Sequence, residues 1–318
     1  MWTFIGKGMW FLWIQLALAG GLLLLAGLGA RAGKRGQSSR AKAALLGCLP
    51  LALLLYSTVE PAFLRLSNYS VTLGAGTQGS IRIAFLSDPH MGVFAGAERL
   101  EQAVLLSNQQ QPDLVLLGGD FLYHADRDQL EALLAPLSAL HAPLGVYAVL
   151  GNHDYGNPGK QDLSGPLEEV LSALGIGVLH NQSLLLKSAG STGGLTLVAI
   201  DDERAGRADL KQATAGMEGD GPLLLVAHNA DFLLRSRPEE IFPPGTANRH
   251  LWLFGHTHGG QARLPLIGPL FRNSDSPWVW GLDRSSWGTI ITSAGLGETS
   301  VPLRFACPPE VVLVNLRY

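Results

Sequence analysis

Thiol chemistry is nearly absent from this 318-residue chain, which has two cysteines, Cys48 inside an apolar run and Cys307 near the C-terminus. Their settings differ too much for pairing, so neither a disulfide framework nor a thiolate metal site is expected. Acid is missing from residues 1–59. The rest, from Glu60, holds all 26 acids; removing Lys7 and the five bases of the 31–42 loop from the total of 23 leaves 17 bases, a formal charge of about −9 with His neutral. That sign lacks the Lys and Arg clusters that grip phosphate backbones, which excludes a general nucleic-acid partner. Neither an internal repeat nor a low-complexity segment is present.

Long apolar runs are confined to the acid-free end. Residues 8–30 form an uncharged run of about 23 residues, enough to cross a hydrocarbon core of ~30 Å as a helix. Residues 43–59 form a second run of about 17 with Pro50 inside it. Two transmembrane helices are expected, the alternative being a helical hairpin within one leaflet. A cleaved signal peptide fits less well, because the first run exceeds the usual signal core and only Lys7 precedes it. The loop between them carries Arg31, Lys34, Arg35, Arg40 and Lys42, which the positive-inside rule puts in the cytoplasm. The expected localisation is therefore the cell membrane, multi-pass, with the large C-terminal domain extracytoplasmic. Residues 60–80, ending in Gly-rich GAGTQGS, read as a linker.

From residue 81 strand, loop and helix patterns alternate. Strands are expected at 81–86, 113–117, 146–150, 195–200, 223–227, 251–254, 289–292 and 311–316, with shorter ones at 178–179 and 183–187. Helices are expected at 96–110, 128–140 and 166–174. Such alternation argues for βαβ units and helix-covered sheets in a domain spanning 81–318.

Five apolar runs end in the same way: IAFLSDPH (83–90), LVLLGGD (114–120), VYAVLGNHD (146–154), LLLVAHN (223–229) and LWLFGHTHGGQ (251–261). Each puts Asp, His or Asn where a buried strand leaves its sheet, the edge at which open α/β sheets bind ligands. Five of the nine histidines sit in these endings: His90, His153, His228, His256 and His258. Imidazole with Asp and Asn oxygen and no Cys suits Mn, Fe or Zn better than Ca. Asp88, His90, Asp120, Asn152, His228, His256 and His258 make seven candidate ligands, too many for one ion and suited to two sharing a carboxylate. Gly118, Gly119, Gly151 and Gly255 let the backbone turn without a Cβ beside the ions.

These endings, in this order, resemble the five signature motifs of the calcineurin-like metallophosphoesterase superfamily. The resemblance implies a four-layer α/β sandwich with two mixed sheets flanked by helices. It implies two divalent metal ions, one held by Asp88, His90 and His258, the other by Asn152, His228 and His256, with Asp120 bridging. It implies hydrolysis by attack of a metal-bridging hydroxide in line with the scissile P–O bond. His153 matches the motif histidine that is not a ligand, with an implied role in protonating the leaving oxygen or steadying the transition state. Asp154 is a candidate to orient it. Two departures stand out. The Asp-Arg pair of the protein-phosphatase branch is displaced to Asp126-Arg127, which disfavours a phosphoprotein substrate, and Pro89 replaces the more usual Leu.

Arg263 and Arg304 are candidate contacts for a substrate phosphate. His124, His141, His180 and His250 lie outside any motif and read as surface or structural. Asp201 and Asp202 read as turn caps. The Trp-bearing stretch 264–287 reads either as core or as an apolar lip at a membrane surface. Together with GHTHGGQ and the closing GLGETSVPLRFACPPE, the apolar N-terminus resembles the membrane-anchored subgroup, which includes cell-envelope phosphoesterases and UDP-2,3-diacylglucosamine hydrolases. The expected function is hydrolysis of a phosphoester or pyrophosphate bond in a membrane-associated or lipid substrate. A UDP-2,3-diacylglucosamine pyrophosphatase of lipid A synthesis and a non-catalytic metal-bound scaffold or sensor are the alternatives. Oligomeric state is not legible.

Overall fold

Strands with no polar residue on either face must be covered on both sides, and that requirement sets the architecture. A computed structural model describes Cys48 and residues 51–318, apart from 77, 157, 158, 218–220, 237, 265 and 271. Its strands are β1 (Arg65–Thr72), β2 (Ser80–Leu86), β3 (Met91–Gly92), β4 (Leu114–Leu117), β5 (Leu122–Tyr123), β6 (Val146–Ala148), β7 (Gly177–Val178), β8 (Gln182–Leu186), β9 (Leu195–Ile200), β10 (Leu223–Ala227), β11 (His250–Phe254), β12 (Arg263–Leu264), β13 (Gly268–Pro269), β14 (Gly281–Ser285), β15 (Gly288–Thr292) and β16 (Glu310–Arg317). The α-helices after residue 60 are α1 (Ala97–Gln109), α2 (Leu130–Leu134), α3 (Ser164–Ala173), α4 (Leu210–Thr214) and α5 (Phe232–Arg235).

Two six-stranded mixed sheets result, in the orders β1-β16-β2-β4-β6-β7 and β14-β15-β11-β10-β9-β8. In the first, β16 is antiparallel to β2 and parallel to β1. In the second, only the edge strands β14 and β8 run antiparallel to their neighbours. Ile83, Phe85, Leu114 and Leu116 of one sheet pack with Leu224, Val226, Leu251 and Leu253 of the other in a shared central core. The outer face of the first sheet buries Leu100, Val104, Leu167 and Leu171 of α1 and α3. That of the second buries Leu210, Ala213, Phe232 and Leu233 of α4 and α5. Helices, two sheets and helices thus follow in layers.

Two expectations are corrected here, and a third falls largely outside the described residues. The supposed linker 60–80 contains β1, an eight-residue edge strand registered along β16 from Arg65↔Glu310 to Thr72↔Arg317. Its polar sequence RLSNYSVT hides it, because a strand paired on one side only has little to bury. The helix expected at 128–140 is α2 flanked by 3-10 turns at Arg127–Gln129 and Ala135–Ala139, since Pro136 lacks the N–H an α-helix needs there. The apolar run 8–30 lies outside the described residues. Of the run 43–59, residues 51–59 are helical, and no helix among the described residues is long and apolar enough to cross a membrane.

Candidate metal centre

The carboxyl-terminal ends of β2, β4 and β6 meet those of β10 and β11 along one edge of the sandwich. There the chain turns left-handed at five non-glycine positions, Asp88 (φ 53°), His90 (48°), Asp120 (53°), His256 (67°) and His258 (50°). Such φ values are uncommon for residues with a Cβ, and a concentration of them marks a place where the fold imposes geometry on function. Space is equally tight: a Cβ at Gly255 would collide with Ser87 Oγ and Asp88 Oδ2. The sheets are stitched across this edge by the His256 N–H, which donates to both oxygens of Asp88 at 3.0 Å.

Asp120 stands at the centre. Its Oδ2 lies 3.1 Å from Nε2 of His90 and 3.1 Å from Nε2 of His228, which come from different sheets. Asp88 Oδ1 is 3.6 Å from His258 Nε2 and 4.0 Å from His228 Nε2. Among the described residues, three groupings bring ligand atoms within 4.8 Å of one another: Asp88, His90 and His258; His90, Asp120 and His153; and Asp120, His228 and His256. Asn152 is buried in the same β6 loop, between Gly151 and His153.

Backbone carbonyls fix which nitrogen of each ring faces inward. His90 Nδ1 meets the Glu298 carbonyl at 3.0 Å, His258 Nδ1 that of Gly297 at 3.0 Å, and His228 Nδ1 that of Gly118 at 2.7 Å. A ring nitrogen facing a carbonyl carries the proton, leaving the other a bare lone pair. His256 is turned the other way, with Nε2 3.4 Å from the Asn273 carbonyl and Nδ1 inward. His228 Nε2 and His256 Nδ1 consequently face each other at 3.2 Å, close enough that either a proton on His228 or a cation must lie between them. The donor set therefore fits divalent ions.

Electrostatics agree with that fit. Burial alone would raise the Asp120 carboxyl, yet His228 and His153 hold it well below its usual range. Burial would lower His228, but the Asp120 carboxylate raises it well above. Burial, reinforced by His228, pushes His256 down to about 3, and burial pushes His153 down to about 4. Strongly perturbed groups gathered at a sheet edge are the signature of a functional site.

The other expected residues divide. His153 lines the centre: its N–H donates to Asp120 Oδ1 at 2.8 Å, its Nε2 is 4.0 Å from Asp120 Oδ2, and its side chain is 20% exposed. Asp154 does not orient it. That carboxylate accepts from the Gly151 and Leu122 N–H groups at 2.9 and 3.1 Å, tying the β6 loop to β5. Arg304 is corrected too: it is fully buried, its Nε on Glu298 and its terminal nitrogens on the carbonyls of Ala294, Gly295, Gly297 and Cys307. All three of its nitrogens are engaged within the fold and the side chain is fully buried, so it does not present itself to a phosphate. Arg263 donates to the Gly259 carbonyl at 2.8 Å and lies over the Trp280 ring, which makes it a brace for the loop after His258. Asp202 does cap a turn, accepting from the Ala205 N–H.

Several contributors escape sequence reasoning. The 295–299 loop supplies the carbonyls that orient His90 and His258, held by Arg304 and by Arg99, whose Nη1 is 2.6 Å from Glu298. Gly297 has no room for a side chain, since a Cβ would meet the Pro89 carbonyl oxygen and stand 2.8 Å from His90 Cβ. Tyr123 stacks flat on His90 at 5.0 Å. Asn273 grips His256 twice, its Nδ2 donating to the His256 carbonyl at 2.7 Å.

Residues 81–260, which include four of the five strand endings whole and all but the last residue of the fifth, match the calcineurin-like phosphoesterase family. The chain is a calcineurin-like phosphoesterase. As such it is a metal-dependent hydrolase of phosphoric esters, in a family that generally uses two metal ions. Similar curated proteins include phosphodiesterase YaeI of Escherichia coli K12, 32% identical over 260 residues that cover 81% of this chain and 90% of that one. The metallophosphoesterase YkuE of Bacillus subtilis 168 is 27% identical over 263 residues, 81% and 87% of the two chains. A transmembrane protein with a metallophosphoesterase domain from Danio rerio is 31% identical over 249 residues, covering 74% of this phosphoesterase and 53% of its own length.

Proposed function

We propose that this phosphoesterase is a membrane-anchored phosphodiesterase with a dinuclear centre that cleaves a P–O bond of a membrane-associated lipid substrate. The observation that carries the reading is the single Asp120 oxygen 3.1 Å from imidazoles of both sheets, with a further ligand grouping on either side of it. Asp88, His90 and His258 would hold one ion, Asn152, His228 and His256 the other, and Asp120 both. When bound, such ions supply Lewis acidity, neutralising phosphoryl charge and making water a nucleophile near neutral pH.

The chain's own residues do the rest. Asp120 and Asp88 give the centre the negative charge that attracts cations, and the carbonyls of residues 118, 297 and 298 keep three imidazoles aimed inward. His153 is the one inward histidine left out of the ligand set, at the exposed side of the pocket. Burial keeps it neutral near pH 7. A phosphate anion beside it favours its protonated form, as Asp120 already does, which lets Nε2 hold the proton that the leaving oxygen takes. YaeI is named a phosphodiesterase, and relatives from two vertebrates are named transmembrane proteins, which favours a diester and a membrane setting. Purified protein stripped with EDTA should lose hydrolysis of bis(p-nitrophenyl) phosphate and regain it with Mn, Fe or Zn. Turnover indifferent to chelation would reject the reading.

A further inference from the structure

Two apolar surfaces that a soluble domain would cover are exposed and adjacent. Helical residues 51–59 expose Leu53, Leu55, Tyr56 and Val59, followed by Phe63. The β12–β13 hairpin exposes Leu266 fully, Ile267 by 74% and Leu270 by 50%. No charge lies between Leu264 and Leu270. The two are joined through Phe305: its ring meets Tyr56 edge-on at 5.7 Å, while its carbonyl accepts from the Arg263 N–H at 2.8 Å. Arg304 N–H also donates to the Ser57 carbonyl at 3.0 Å.

At the base of this surface Arg65 and Arg263 lie over Trp280, 4.7 and 5.1 Å from its ring centroid. Arg272 is exposed beside the hairpin. An uncharged tip above Trp and Arg is the order of side chains met on passing from hydrocarbon through headgroups to water. The chain preceding the helix agrees in composition: residues 8–30 and 43–50 are uncharged and rich in Leu. The hairpin starts five residues after His258, so whatever covers it also neighbours the centre.

We propose that the β12–β13 hairpin inserts into an anionic lipid bilayer beside the N-terminal apolar segment, setting the centre against the headgroup layer. This deepens the proposed function, on which it rests: the substrate class becomes phosphodiesters within the same bilayer. Full-length protein is reconstituted in vesicles of phosphatidylethanolamine and phosphatidylglycerol with a nitroxide on Ile267→Cys in a Cys48→Ser background; Cys307 is buried and does not react. The label should be relaxed by lipid-dissolved oxygen and shielded from an aqueous nickel chelate. Accessibility to the chelate, shielding from both relaxants because residues 1–47 cover the hairpin, or spin–spin broadening from a second copy overturns the proposal. The double variant Leu266→Asp, Ile267→Asp should slow turnover of a phosphodiester presented in vesicles by about tenfold or more, with soluble bis(p-nitrophenyl) phosphate within about twofold. Equal loss on both, or loss on neither, also overturns it. Wild-type failure on both substrates rejects the catalytic reading, and the label's depth then judges insertion alone.

Discussion

At residue scale the centre divides into side chains that meet the ions or substrate and those that aim them. Asp120→Asn removes the one charge shared by the two sites and should reduce metal content and turnover together, turnover by on the order of 100-fold or more. His153→Ala should lower kcat by about 100-fold or more with metal content unchanged, as loss of a proton donor requires. Equal loss of metal in both variants, read by elemental analysis, would instead make His153 a ligand. The Asp, His and Asn side chains that end the five apolar runs were legible in the sequence, because a polar residue ending such a run has few structural reasons to be there, whereas Tyr123 and Asn273, which pack on those histidines, were not. The aiming groups were not: the carbonyls of Gly118, Gly297 and Glu298 act whatever side chain they carry. Arg304 was misread because nothing local distinguishes a guanidinium bound to four carbonyls from one waiting for phosphate.

At the scale of elements, the 295–299 loop is as much part of the centre as the five strand ends. Gly297→Ala pushes a methyl group against Pro89 and His90 and should weaken metal affinity by about 10- to 100-fold, measured by titration calorimetry, while circular dichroism stays unchanged. Strand β11 carries a different liability in His250, which is 4% exposed and pushed down by burial to about 4. The unfolded chain protonates near pH 6.5 and the folded one does not, so the folded state is fully stable above that pH and loses about 3 kcal/mol as pH falls to about 4. His250→Gln should flatten urea midpoints across that window; an unchanged slope would exclude His250 as the cause. Fully buried strands such as β9 and β10 were legible to the residue, since their apolar runs have sharp ends. The edge strands β1 and β14 were not, because half-exposed strands show little pattern and owe their existence to a neighbour distant in sequence.

At the scale of the molecule, two sheets with helices outside leave one edge where both sets of strands end, and the five motifs are the sequence trace of that edge. The membrane expectation rests on different material: the apolar run 8–30 lies beyond the described residues, while helical residues 51–59 and the exposed hairpin carry the apolar surface into the folded part. Five residues that carry side chains, Asp88, His90, Asp120, His256 and His258, hold a left-handed backbone along this one edge, so the strain of the cradle is borne by the two sheets that end there. Whatever slackens the packing between those sheets therefore spoils the aim of several ligands at once, and stability and function are spent from the same reserve.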